Sequence, residues 1–266
     1  MKNETFGGDC DLAADSPRGA RAILIRLASF LGRRCQACGA ATRGGDPRGP
    51  ASGRLLCGPC RERLAPRRAG FCPACGLAYA DVAAEPYLCG PCRSAPPPWR
   101  NFAWHGPYEG LLGELVRDFK FSRRLGLARL LGALALEAWD RAAPAGPAPD
   151  LAVPVPLHPR RLAERGYNQS LLLARGLARS RGLTLDPAAL ARTRDTEPQA
   201  RLAGTARREN IRGAFAADPD RVAGRGALLV DDVMTTGGTL EEASLALLRA
   251  GARSVDVLVL ARTPRE

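Results

Sequence analysis

Lysine is almost missing from this chain of 266 residues: among 39 basic side chains only Lys2 and Lys120 are lysine, and the others are arginine. Histidine is just as scarce. The chain has only His105 and His158, neither in the setting of a Ser-His-Asp triad, so that class of hydrolase is not expected and each is read as structural or as a peripheral contact. Aromatic residues reach 5%. Trp99, Phe102 and Trp104 cluster; such rings can stack on bases, but a packed domain junction is the commoner reason for them. Long apolar runs are absent too. Stretches such as Leu130 to Leu136 fall far short of the roughly 18 to 20 residues that span a bilayer. The apolar patch Ala22 to Leu31 is broken by Arg26, follows several acids and has no small-residue cleavage site, so no export signal is expected. A soluble, cytoplasmic protein is the expectation.

What the chain does have is positive charge, with a net +12. That suits contact with phosphates, whether on a metabolite or on a nucleic acid. An arginine and alanine bias also follows from genome composition, so charge alone does not decide the matter. The chain also has nine cysteines, which in a reducing compartment point to metal or catalysis rather than to disulfides.

Eight of the nine fall in four C-x-x-C pairs: Cys35/Cys38, Cys57/Cys60, Cys72/Cys75 and Cys89/Cys92. Each pair can offer two thiolates to one tetrahedral zinc ion, so two structural zinc ribbons are predicted. A redox role calls for one reactive pair after a strand, not four regular ones. Sequential pairing is the simpler arrangement, while the spacing leaves interleaving open. Cys10 is left over without a role. All cysteines precede the proline-rich stretch "RSAPPPWRN", and a stiff connector there separates two domains. The division read from the sequence is an N-terminal segment with a short helix over 1–34, a double zinc ribbon over 35–93, a connector over 94–101 and a larger domain over 102–266.

In that larger domain, apolar spacings of three and four predict helices over Glu109 to Phe119, Leu125 to Arg141 and Asn168 to Ser180. "DLAVPVPLH" reads as a strand entering a loop, with Pro154 and Pro156 confining it to a strand end or an edge. The polar stretch Ala188 to Arg212 reads as a mobile surface segment. "ALLVDD", a helix from Thr239 to Ala250, and "SVDVLVLA" follow as strand, helix, strand, the signature of a parallel pair with a crossover. The expected class is therefore α/β, a parallel sheet flanked by helices.

"DDVMTTGGT", from Asp231 to Thr239, then lies at the carboxyl end of the sheet, where such folds bind ligands. Gly237 and Gly238 let backbone amides turn inward, Thr235, Thr236 and Thr239 add hydroxyls, and the following helix favours an anion at its N-terminus. A monophosphate fits this cradle. Asp231 and Asp232 would repel it and need other partners, such as vicinal sugar hydroxyls and Mg²⁺. A plainer alternative is that Thr239 and Glu242 form a capping box and the aspartates a solvated turn. The loop has no lysine, which excludes a Walker loop.

This string resembles the phosphoribosyl-diphosphate (PRPP) motif of type I phosphoribosyltransferases. With "VPVPLHPRRLAERGYNQS", "RTRDTEPQARLAGTARRENIRGAF" and "VLVLAR", the chain from Cys35 to Arg262 is similar to the ComF family of competence-associated proteins. The resemblance implies a type I phosphoribosyltransferase-like parallel sheet with an N-terminal zinc-ribbon module. It implies that Thr235 to Thr239 hold the 5-phosphate, that Asp231 and Asp232 serve ribose and Mg²⁺ as catalytic and binding residues, and that Arg160 and Arg161 meet the diphosphate. Arg165, Asn168 and Gln169 belong to the family string, and Gln199, Arg208 and Asn210 to its mobile loop, without assigned roles. The implied function is a cytoplasmic PRPP-binding factor of DNA uptake, with single-stranded DNA and a competence helicase as partners. The DNA surface would come from the ribbons and from Arg192 to Arg212. The alternative is an active phosphoribosyltransferase on a nucleobase-like acceptor, although no acceptor pocket is recognisable in the sequence.

Overall fold

A computed structural model describes residues 33–42, 50–194 and 211–264. The N-terminal segment, Cys10 and the positions Gln199, Arg208 and Asn210 lie outside the described residues. Most of the arginine-rich stretch does too. Two short strands, β1 (Arg33–Arg34) and β2 (Ala41–Thr42), pair antiparallel at the start. Helices α1 (Gly58–Arg63) and α2 (Gly90–Ser94) each begin directly after a cysteine and carry proline in the first turn, where a missing amide costs nothing.

The centre is a sheet of β3 (Asn101–Pro107), β4 (Leu151–Pro154), β5 (Thr184–Leu185), β8 (Gly226–Met234) and β9 (Ser254–Arg262). Its order is β3-β9-β8-β4-β5, and every neighbouring pair is parallel. Parallel strands covered on both faces read as continuous apolar runs, and β9 is buried from Val255 to Arg262. The crossovers are α3 (Gly110–Phe121), α4 (Ala128–Ala142), α5 (Pro159–Arg165), α6 (Gln169–Arg181), α7 (Pro219–Val222) and α8 (Gly238–Arg249). A small antiparallel pair, β6 (Leu190–Arg192) and β7 (Phe215–Ala217), packs beside α8.

Side chains alternate between two cores. Leu228, Val230, Leu258 and Leu260 join one cluster with α3, α4 and α6, and that cluster includes Cys35 and Cys60. Leu229, Val257, Val259 and residues of α8 form the other, together with Cys72, Cys75, Cys89 and Cys92. The two cysteine groups are thus fastened to opposite faces of one sheet. Trp99, Phe102 and Trp104 belong to the second cluster. Trp99 Nε1 donates to the Ala74 carbonyl at 2.8 Å, which ties the proline-rich connector to the second cysteine group.

The long helices and the β8-α8-β9 unit fall where the sequence pattern puts them, within a few residues. Three readings need correction. β3 was not recognised as a strand, although it pairs along β9 from Asn101 to Pro107. Ala189 and Leu190 of the stretch read as mobile are buried, and Leu190–Arg192 is a strand. Pro154 ends β4, an interior strand flanked by β8 and β5, so the strand-end option holds and the edge option does not.

Candidate functional site

Asp231 and Asp232 stand at the carboxyl end of β8, where the two-face alternation shifts: Val230 faces the first core, whereas Met234 joins the second. Ser170 Oγ, in the first turn of α6, donates to Asp231 Oδ1 at 2.7 Å, and the Asp232 amide donates to the same oxygen at 2.9 Å. Lys120 Nζ, in the last turn of α3, lies 2.8 Å from Asp232 Oδ1. Burial, and then the neighbouring Asp232 charge, push the Asp231 carboxyl up to about 7 despite Ser170 and Lys120. A site that holds two acids so close is short of positive charge, and the donor set fits a hard divalent cation or sugar hydroxyls.

The loop after β8 turns at Gly237, whose φ is +95°. That φ strains any residue with a Cβ, which would also fall 2.6 Å from Met234 Cε and push the end of that flexible side chain aside. Gly237 also caps α8 without a side-chain bond, and the helix starts at Gly238, one residue before the expected Thr239. The capping box does not form, because Glu242 accepts the Gly213 amide at 2.9 Å instead. Thr236 Oγ1 is buried with no hydrogen-bond partner. An orphan hydroxyl beside a helix start that has no side-chain cap suits an anion cradle.

The string "RGYNQS" forms a bracket around this rim. Asn168 caps α6 by accepting from the Ser170 and Leu171 amides, while its Nδ2 donates to the Val155 carbonyl at 3.0 Å, fixing the loop after β4. Arg165 donates to Gln169 Oε1 at 2.8 Å, and the Tyr167 hydroxyl donates to the Phe119 carbonyl, next to Lys120. Asn168 and Tyr167 thereby position the two groups that touch the acids, Ser170 and Lys120. Neither of those was singled out from sequence as a site residue. The rarity of lysine in so arginine-rich a chain was the available signal for Lys120. Arg160 and Arg161 lie in the first turn of α5; Arg160 is exposed and pairs with Glu164 at 3.5 Å, and Arg161 is half-buried. His158 accepts the Arg160 amide as the cap of α5. His105 is buried, bonds through Nε2 to the Leu64 carbonyl at 2.8 Å, and is pushed down to about 4 by burial. It joins the first cysteine module to β3 and stands apart from the acid pair.

The cysteines assemble as Cys35, Cys38, Cys57, Cys60 and as Cys72, Cys75, Cys89, Cys92, with the sulfurs of each set within 4.8 Å of one another. This is the sequential pairing. Four thiolates at about 2.3 Å from a zinc ion stand roughly 3.8 Å apart. Cys38 and Cys57 are separated by 3.7 Å and Cys75 and Cys89 by 3.8 Å. Both tetrads therefore have the donor set and spacing to hold a zinc ion. Buried Arg262, at the end of β9, donates from Nε to the Cys75 carbonyl at 2.6 Å.

Residues 168–266 match the phosphoribosyl transferase domain family. Over 211 residues the chain is 39% identical to the DNA utilization protein YhgH of Salmonella typhi, covering 78% of this chain and 90% of the relative. Competence protein F of Haemophilus influenzae is 32% identical over the same shares. The chain belongs to the ComF family. Among solved structures, the allosteric regulatory enzyme of purine biosynthesis aligns with a TM-score of 0.38 and 22% identity, over 55% of this chain and 30% of that one. With residues 168–266 matching the phosphoribosyl transferase domain family, the parallel sheet of this ComF protein is type I phosphoribosyltransferase-like, and the cysteine-rich N-terminal module is seated on both of its faces. Among the described residues no helix is long and apolar enough to cross a membrane.

Proposed function

We propose that this ComF protein is a cytoplasmic PRPP-binding factor of DNA uptake, which contacts single-stranded DNA and a competence helicase while its two tetrads hold structural zinc. One observation carries the PRPP half. The orphan Thr236 hydroxyl and the start of α8, which has no side-chain cap, stand on the same rim as an acid pair that Lys120 contacts. In this reading Thr235, Thr236, Gly237, Gly238 and Thr239 hold the 5-phosphate. Asp231 and Asp232 take the ribose hydroxyls and Mg²⁺, and Arg160 and Arg161 meet the diphosphate. Support for the DNA half is the pair of relatives named for DNA utilization and competence, together with the chain's +12 charge.

Calorimetric titration of PRPP tests the first half. The expected result is binding that needs Mg²⁺ and weakens at least tenfold, about 1.4 kcal/mol, in Asp231→Asn/Asp232→Asn. Equal affinity in that variant, or without Mg²⁺, removes the reading. Diphosphate release from PRPP in the presence of a nucleobase would establish the alternative, an active transferase.

A further inference from the structure

A cavity of about 930 Å³ lies away from the acid rim, between the first cysteine module and helices α4 and α6. Arg34 of β1, Arg54 of the short turn Ser52–Arg54, Arg129 of α4 and Arg175 and Arg179 of α6 line it from four separate elements, and among the described residues no carboxylate does. All five arginines are exposed. We propose that this groove seats the phosphate backbone of a single-stranded nucleic acid. The proposal rests on the DNA half of the function above and gives that half a location.

The floor supplies a second, independent observation. Gly132 of α4 and Gly176 of α6 both line the cavity, inside helices, and a Cβ added to either would meet nothing within 4 Å. Glycine in a helix interior costs about 1 kcal/mol relative to alanine. Among the described residues no packing explains that cost at either position. Glycines on two helices that face one arginine-lined trough leave room for something to approach the backbone closely. The trough extends along α6 from Leu172 to Ser180, roughly 12 Å at the helical rise per residue. A mononucleotide does not need arginines spread along such a length, whereas a phosphodiester chain does. Among the described residues no aromatic side chain lines it, so the strand is gripped by its charge and not by stacked bases, and binding is insensitive to sequence.

The test uses the full, metal-loaded chain and a labelled oligo-dT of about 16 nucleotides, long enough for most single-strand sites. If five phosphates are neutralised, the logarithm of the binding constant falls against that of salt with a slope of about −3.5. Arg175→Gln/Arg179→Gln is expected to flatten that slope by about 1.4. Gly132→Gln/Gly176→Gln is expected to weaken binding while raising Tm, because both changes improve helix propensity. PRPP titration should be unchanged in both variants. If wild-type protein binds the oligomer and these variants bind it equally well, the groove assignment falls and DNA contact elsewhere stands. If wild-type protein fails to bind it, direct DNA contact falls with the groove. Equal competition by a mononucleotide overturns the strand assignment in favour of a small-anion site, and competition only by an acidic peptide overturns it in favour of a protein partner.

Discussion

Replacing Lys120 by methionine removes the cation that, among the described residues, contacts Asp232, while keeping the length of the side chain. Lys120 and Asp232 are 17% and 9% exposed, and their charges lie 2.8 Å apart. Breaking a buried pair by deleting one partner costs about 3 to 5 kcal/mol, since the remaining charge is left uncompensated. Lys120 keeps some contact with water, and Asp231 can take up a proton, so the lower end applies, about 3 kcal/mol near pH 8. For a chain of this size that lowers Tm by about 6 to 12 °C. The pH dependence has a definite sign. Asp231 is raised to about 7, so the folded chain binds more protons than the unfolded one between its ordinary range and that value, and stability falls as pH rises through the interval. Loss of Lys120 strengthens the repulsion between the two acids, so the Tm deficit must be largest at pH 8 and shrink towards pH 6. Thermal unfolding followed by near-ultraviolet circular dichroism measures this directly. Lys120→Met/Asp232→Asn should recover most of the loss, with a coupling of about 2 kcal/mol. A deficit that ignores pH, or a double variant as unstable as the sum of its parts, refutes the argument.

Three further outcomes follow from the geometry. Gly237→Ala should cost about 1 to 3 kcal/mol, chiefly from the strained positive φ, with the end of Met234 displaced, and should weaken PRPP binding in titration. His105 is held near 4, below its unfolded value, so it favours the fold above about pH 6.5 and that contribution fades as pH falls towards 4, by up to about 3 kcal/mol. Urea unfolding of wild-type protein and His105→Gln should therefore show the gap between them narrowing from pH 7 to pH 5. Metal removal by a strong chelator should lower Tm sharply because the tetrads sit inside both cores. Buried Cys72→Ser should cost more than exposed Cys38→Ser in the same melts.

The β8-α8-β9 unit was legible because several signals coincide: an apolar run, two acids, a Gly-Gly turn and a second apolar run. The cysteine tetrads were legible through spacing, although only the geometry chose sequential over interleaved pairing. β3 was hidden because "NFAWHGP" mixes aromatic, histidine, glycine and proline residues, and because three prolines just before it suggested a break. β6 and β7 are three residues each and pair across a long interval, so neither carries a periodic pattern of its own. Lys120 and Ser170 belong to different helices and meet the acids only through tertiary packing, which no local pattern encodes. The individual contacts of "RGYNQS" were hidden for the same reason: their partners are a carbonyl on α3, a carbonyl after β4 and a carboxylate on β8.

β9 runs between β3 and β8, and its terminal Arg262 grips the carbonyl of Cys75, 187 residues earlier. During translation the keystone of the arch is the last stone delivered. At about 5 to 20 residues per second, the second cysteine loop waits roughly 10 to 40 s on the ribosome for its seat. In the zinc-bound reading proposed above, only the ion can order that loop during the interval, so nascent chains made under metal starvation are the ones most exposed to proteolysis.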